Sequence, residues 1–188
     1  QRLELIHRDL KPENIMIDQY GQIKLIDYGT VAVASLDENQ DTLKETVPQG
    51  TLNYIAPETL LKMEASSQSD LFSLGVICYQ MLTAELPYRP MERAEVNFEE
   101  YSEWHYRSIK QFRPELPIWL DLTLQQATYA DPRLRYNAFS EFHSDLTKPN
   151  ISAVEEYKKQ PLIQRNPVKF WQGISFTLFI ALIASFLR

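Results

Sequence analysis

Residues 7–14 read His7-Arg8-Asp9-Leu10-Lys11-Pro12-Glu13-Asn14, and Asp27-Tyr28-Gly29 follows the apolar run Ile23–Ile26. Between them stand Ile15, Met16 and Ile17 and then the turn-forming Asp18-Gln19-Tyr20-Gly21. Two short apolar runs around a Gly-containing turn predict a β-hairpin. A hairpin brings its outer ends together, so Asn14 and Asp27 are expected side by side. Asp9 and Lys11 lie just ahead of Asn14.

The order Asp9…Asn14, then Asp27-Tyr28-Gly29, then Ala56-Pro57-Glu58 resembles the signature set of eukaryotic-type Ser/Thr protein kinases. Three motifs in one order and at matching intervals are far more specific than any one tripeptide. The resemblance implies phosphoryl transfer from ATP, with Mg²⁺ or Mn²⁺, to Ser and Thr hydroxyls of protein substrates. That chemistry needs positioning and charge neutralisation more than covalent help. By resemblance Asp9 accepts the substrate hydroxyl's proton, Lys11 neutralises charge on the transferring group, and Asn14 and Asp27 are the metal ligands. Oxygen ligands of this kind suit a hard cation that keeps part of its water shell. The stretch Lys11-Pro12-Glu13-Asn14 is similar to Ser/Thr kinases, since tyrosine kinases usually carry Arg and Ala there. Tyr28 replaces the family's more common Phe and supplies similar bulk. His7 is read as a packing residue that braces the loop against Asp27-Tyr28-Gly29, although its ordinary pKa suits acid–base work. Asp18 and Asp37 are read as solvated surface carboxylates.

Thr30 to Gln49 shows no sustained periodicity and carries Asp37, Glu38, Asp41, Lys44 and Glu45, as an exposed activation segment does. Arg8 directly precedes Asp9, and in kinases with that pairing the Arg gathers a phosphate from this segment. Ser35, Thr42 and Thr46 are the candidate acceptors, with Thr46 favoured for its nearness to Thr51. Gly50-Thr51-Leu52-Asn53-Tyr54-Ile55-Ala56-Pro57-Glu58 closes the segment in a form similar to Ser/Thr kinases, which gives Thr51 a substrate-positioning role.

From Leu71 to Leu82 the residues are apolar on nearly all sides, which predicts a helix inside a domain. The resemblance makes it the central helix of a kinase C-lobe, with Asp70 accepting hydrogen bonds from the backbone around His7 and Arg8. Asp131-Pro132-Arg133-Leu134-Arg135 resembles the family's late Asp-Pro-x-x-Arg, which pairs Arg135 with Glu58. Breaking such a buried pair costs about 3–5 kcal/mol.

Composition constrains less. With 188 residues, 44% of them hydrophobic, the chain can bury one sizeable core. The net charge of −6 argues against a general nucleic-acid binder. The single cysteine, Cys78, lies in the apolar helix and rules out a disulfide framework. His7, His105 and His143 lack metal-site spacing.

The other strong signal is at the end. Phe170 to Leu187 is eighteen residues without a formal charge, which meets the lower limit for a membrane span. Its apolar side chains cover all faces, unlike an amphipathic helix, and a buried C-terminal helix is the alternative. Lys158, Lys159, Arg165 and Lys169 precede it and only Arg188 follows, so the positive-inside rule predicts a single-pass tail anchor with a cytoplasmic kinase domain. Residues 147–169, with Pro149, Pro161 and Pro167, read as a flexible linker with ends on the order of 25–30 Å apart. Asn166-Pro167-x-x-Phe170-Trp171 before a terminal apolar helix is similar to the tail of bacterial bifunctional proteins, in which a metal-dependent phosphatase domain precedes the kinase.

The expected organisation is therefore mainly α. Residues 1–146 form a kinase-like C-lobe with a short β-hairpin at the active site, 147–169 a linker and 170–187 a transmembrane helix. A complete kinase also has a Gly-rich loop, a strand Lys and a helix Glu ahead of the catalytic loop. The chain starts six residues before His7, so it is expected to be a fragment and inactive alone. The alternative function is a non-catalytic, kinase-like binding or scaffold module. Retention of Asp9, Lys11, Asn14 and Asp27 favours the enzyme.

Overall fold

Helix α2, Ser67–Thr83, is apolar on both of its main faces because two groups of side chains close on it. A computed structural model describes residues 5–27, 32–33, 51–61, 64–90 and 104–186. It divides into two compact units, Gln1–Pro149 and Asn150–Arg188. In the first unit the elements run β1 (Leu5–Ile6), β2 (Ile15–Ile17), β3 (Ile23–Leu25), β4 (Ala32–Val33), α1 (Pro57–Leu60), α2, α3 (Ile118–Ala127) and α4 (Phe139–Thr147).

One face of α2 places Leu71 and Tyr79 against Ile109, Leu120 and Leu124, and α4 adds Phe142 to that group. The opposite face places Phe72, Val76 and Ile77 against Leu10, Tyr54 and Tyr88. This second group carries the loop that holds the Asp9 motif. Ser69 locks the start of the helix: its hydroxyl accepts the Ser66 amide at 3.1 Å and donates to Glu58 Oε1 at 2.8 Å.

Helix α2 comes close to the end of α3 at Gly75. A Cβ there meets Thr128 Cγ2 at 2.9 Å and Ala127 Cβ at 3.0 Å, which real side chains do not tolerate. Gly75→Ala is thus expected to destabilise the first unit by about 1–3 kcal/mol, because the helices must separate. Urea unfolding checks it, and an unchanged midpoint contradicts the close approach.

The loop after Trp104 is fastened by one buried carboxylate. Asp121 Oδ1 accepts the Tyr106 hydroxyl and the Ile109 amide, both at 2.9 Å, and its Oδ2 accepts the Ser108 hydroxyl at 2.6 Å. Burial, together with the neighbouring Asp121 charge, pushes the Tyr106 hydroxyl pKa far up, so it stays a donor.

Strands β2 and β3 pair antiparallel with Ile15 opposite Leu25 and Ile17 opposite Ile23. Their turn is organised by Asp18, whose Oδ1 accepts the Tyr20 and Gln22 amides at 2.9 and 3.0 Å. Gly21 takes φ +78°, a left-handed conformation open to glycine without strain. Asp18 is therefore a turn anchor as well as a surface charge paired with Lys24 at 3.4 Å, which corrects its reading as merely solvated. The Gln22 amide, ahead of the Tyr20 amide, holds its carboxyl below the ordinary value. A pairing that the sequence does not announce joins β1 to β4, Leu5 opposite Val33 and Ile6 opposite Ala32. Its second strand, β4, falls inside the segment read as aperiodic.

The second unit corrects the reading of residues 147–169 as a flexible coil. Helix α5, Ile151–Lys159, occupies much of it, and α6, Leu162–Arg165, follows. Asn150 caps α5 by accepting the Ala153 amide at 3.1 Å, and Lys158 and Lys159 sit in its last turn, where cations oppose the helix dipole favourably. Pro149, Pro161 and Pro167 lie outside or at the first position of helices, where a missing N–H costs nothing. The apolar C-terminal helix α7, Pro167–Phe186, begins three residues earlier than residue 170, because Asn166 Oδ1 accepts the Lys169 amide at 2.9 Å and caps it. Among the described residues α7 is the one helix long and apolar enough to cross a membrane, and none of its apolar window is buried.

Candidate active site

Leu10, packed against Tyr54, Phe72 and Ile77, pins the middle of the loop that carries Asp9 and Lys11. Just before it, Asp70 on the first turn of α2 reaches the backbone. Its Oδ2 accepts the His7 amide at 2.6 Å and its Oδ1 the Arg8 amide at 2.9 Å. Burial pushes the Asp70 carboxyl up, against the downward pull of these two amide bonds. The bonds hold Arg8 at φ 68°, a conformation costly for a residue with a Cβ and one that surrounding contacts must maintain. His7 is buried beside them.

Beyond Leu10 a 3₁₀ turn, Pro12–Asn14, bends the chain back. Asn14 Nδ2 donates to the Asp9 carbonyl at 2.8 Å and to Asp9 Oδ2 at 3.0 Å, while Lys11 Nζ lies 2.7 Å from the same Oδ2. One carboxylate oxygen is therefore shared by an ammonium and an amide. With Nδ2 donating twice, the remaining polar atom of the Asn14 side chain is the acceptor Oδ1. The hairpin brings the second end in: the Ile26 amide donates to the Asn14 carbonyl at 2.9 Å, and Asp27 follows with φ 62°. Asp27 is exposed.

Among the described residues no three His, Cys, Asp or Glu side chains form a metal cage. One amide oxygen and one carboxylate are instead the donors that suit Mg²⁺, which is held by few protein oxygens and completed by phosphates and water. The residues present thus fit such an ion.

On the other side of Asp9 a small cleft is lined by Arg8, Leu10, Tyr54, Ile55, Thr59 and Asp70. Its wall is set by residues that sequence reasoning did not single out. Tyr54 donates its hydroxyl to Gln80 Oε1 at 2.6 Å and accepts the Ser73 hydroxyl on its carbonyl at 2.7 Å. Ser73 and Gln80 stand seven residues apart, on one face of α2. That spacing of two polar side chains in an otherwise apolar helix was the available signal.

Glu58 and Arg135 form a bidentate pair, 2.7 Å for both Nη1–Oε1 and Nη2–Oε2, with side chains 3% and 0% exposed. Arg135 Nη1 also donates to the Gln68 carbonyl, Nη2 to the Ala130 carbonyl and Nε to the Tyr129 carbonyl. All five of its N–H groups have acceptors. Its guanidinium lies 4.8 Å above the Phe72 ring. By contrast Arg133 is exposed and pairs with Asp131 at 2.6 Å. Thr51 starts the 3₁₀ turn Thr51–Tyr54, and its side chain lies outside the described residues, as do Tyr28, Gly29, Ser35, Thr42 and Thr46.

Residues 2–152 match the protein kinase domain family. This chain belongs to the eukaryotic-type serine/threonine protein kinase family. It is similar to the serine/threonine-protein kinase PknD of Chlamydia caviae, 33% identical over 184 residues that cover 89% of this chain and 19% of that protein. The PknD kinase of Chlamydia felis is 28% identical over 186 residues, again 89% of this chain and 19% of its relative. A probable serine/threonine-protein kinase PknB of Lactococcus lactis is 30% identical over 142 residues, 76% of this chain and 22% of that protein. The chain thus spans about a fifth of the length of these curated relatives. Within this kinase family fold, the Asp9 loop, the hairpin end and the Glu58–Arg135 pair are all tied to α2 or to segments it buries.

Proposed function

We propose that these residues are the catalytic and substrate-positioning half, the C-lobe, of a serine/threonine protein kinase held at a membrane by α7. The observation that carries the reading is the shared Asp9 oxygen, contacted by Lys11 Nζ at 2.7 Å and Asn14 Nδ2 at 3.0 Å. A scaffold needs no such arrangement. Asp9 orients the Ser or Thr hydroxyl through its remaining lone pairs and takes up the proton as the hydroxyl oxygen bonds to the γ-phosphorus, while the bond from that phosphorus to the β,γ-bridging oxygen breaks and ADP leaves. Lys11 neutralises charge on the transferring group. Asn14 and Asp27 would hold Mg²⁺, which when bound would supply charge neutralisation on the ATP phosphates. Thr51 and the Tyr54 wall position the peptide, and Glu58–Arg135 keeps that wall attached to the body.

Cross-strand partners Ile17 and Ile23 are 65% and 69% exposed, an apolar pair suited to cover by a nucleotide-clamping lobe. Since the 188 residues include no such lobe motif, we expect them to bind ATP weakly and transfer little phosphate unaided. In this reading Arg8, which directly precedes Asp9, gathers a phosphate carried on Thr46, Thr42 or Ser35. The Asn166–Trp171 stretch supports a phosphatase domain in the same polypeptide. An acidic net charge makes nucleic acid an unsuitable partner.

For α7, the exposed Phe176, Leu178, Phe179 and Leu182 support a span rather than a packed helix, with the kinase on the cytoplasmic side. Two assays test the proposal. In a protein that joins this chain to a nucleotide-clamping lobe, labelled γ-phosphate is expected on Ser or Thr of a protein substrate, dependent on added metal. In fractionated cells the protein is expected with membranes, and deletion of residues 167–188 is expected to release it folded. Metal-independent labelling, or a soluble full-length protein, contradicts the corresponding half.

A further inference from the structure

All 25 carboxylate side chains of the chain lie at or before Glu156, and Lys158, Lys159, Arg165 and Lys169 follow with no carboxylate after them. All four of these cations are exposed, and among the described residues none has a carboxylate within ion-pair distance. They are also gathered by the backbone. Arg165 Nη1 donates to the Lys158 carbonyl at 3.1 Å, the Tyr157 hydroxyl donates to the Arg165 carbonyl at 3.4 Å, and the Arg165 guanidinium lies 5.2 Å from the Tyr157 ring centre. The end of α6 is thereby folded back onto the end of α5. Lys169 sits in the first turn of α7, and its amide is fixed by Asn166.

Apolar groups are interleaved with these charges. Leu162, Ile163, Val168 and Trp171 are 42–64% exposed. A short helix with exposed aliphatic side chains among exposed cations, directly before an apolar helix that carries Trp171 near its start, has the composition of an interfacial segment. Cations in that position are attracted by the negative potential of an anionic leaflet, which reaches about one Debye length, roughly 8–10 Å, from its surface. The carboxylate-rich part up to Glu156 is repelled by the same potential, so attraction is confined to the tail.

From this juxtaposition we propose that residues 157–169 are a docking surface for anionic phospholipid headgroups of the bilayer that α7 enters. The inference rests on the membrane reading of α7 and adds to it a lipid preference. Lys158, Lys159, Arg165 and Lys169 contact the phosphates, Leu162, Ile163 and Val168 enter the headgroup boundary, and Trp171 marks the start of the hydrocarbon region. The Arg165–Tyr157 stack ties the end of α6 to the end of α5, which keeps Arg165 beside Lys158. Each cation near such a surface contributes a factor of roughly five to the equilibrium, and salt removes it.

The test is hydrogen exchange of the full chain reconstituted in vesicles of phosphatidylcholine alone and in vesicles containing phosphatidylglycerol. Amides of 157–166 are expected to exchange about tenfold or more slowly in the anionic vesicles at low salt, since two or more cations act together. High salt is expected to remove the difference, and so is combined Lys158→Gln, Lys159→Gln, Arg165→Gln and Lys169→Gln. Amides of α7 are expected to be protected in both lipids and in the variant. Equal exchange of 157–166 in the two lipids, with α7 protected, overturns the docking surface alone. Free exchange of α7 in both lipids overturns the membrane reading and the docking surface together.

Discussion

Arg135→Ala is expected to lower the stability of the first unit by about 3–5 kcal/mol, enough to threaten a domain of ordinary stability. The guanidinium is fully buried, and its removal leaves Glu58 charged with, among the described residues, the Ser69 hydroxyl as its remaining donor. It also strips acceptors at Gln68, Tyr129 and Ala130 of their donor, each with its own desolvation cost. Arg135→Lys keeps the charge yet cannot reproduce the fork, so most of the loss is expected to persist. Replacing Glu58 and Arg135 together by apolar residues of similar volume is expected to cost less than Arg135→Ala, since no charge is then stranded. Denaturant midpoints at constant slope measure all three. A loss under about 1 kcal/mol for Arg135→Ala means the pair behaves as an exposed one and contradicts the burial.

The second large effect is chemical. Asp27→Ala, in a protein with a complete nucleotide clamp, is expected to reduce phosphate transfer by a thousandfold or more, on the order of the loss when a preorganised charge-stabilising group is removed. In the proposed metal site Asn14 offers one neutral oxygen and Asp27 the charge, and among the described residues no cluster of three His, Cys, Asp or Glu stands by to replace it. The metal requirement should change with it: activation is expected to need far higher Mg²⁺, while Tyr54 and the peptide wall remain in place. A variant with near-normal turnover at ordinary Mg²⁺ places the metal elsewhere.

Much of the site could be read from the chain because its contacts join motif residues. Asp70 reaches back 63 residues to the His7 amide, and Arg135 reaches 77 residues to Glu58, yet each of these side chains is marked by its own short pattern. The hairpin was legible for a different reason: two apolar runs and an Asp–Gly turn specify it locally. What could not be read has no side-chain signature. Three of the five bonds to Arg135 end on backbone carbonyls, which any residue supplies. β1 and β4 are two residues each and pair across a long gap. Gly75 matters through the space it leaves to Ala127 and Thr128, a property of two helices and not of one segment. Helix α5 was hidden by its polar composition, and the prolines that suggested a coil turned out to lie at helix boundaries.

Catalysis by the shared Asp9 oxygen is most directly tested by Asp9→Asn, which preserves size and can still face Lys11 and Asn14 but cannot take up the hydroxyl's proton. The measurement is the single-turnover rate of γ-phosphate transfer to a Ser-containing peptide, with ATP affinity determined on the same preparations in the presence of Mg²⁺. The expected result is a fall in rate of about 10²–10⁴-fold with ATP affinity changed by less than about threefold, because Asp9 acts at the reacting hydroxyl and not on the nucleotide. An unchanged rate, or a loss that follows ATP affinity alone, contradicts the assignment of Asp9 as the catalytic base.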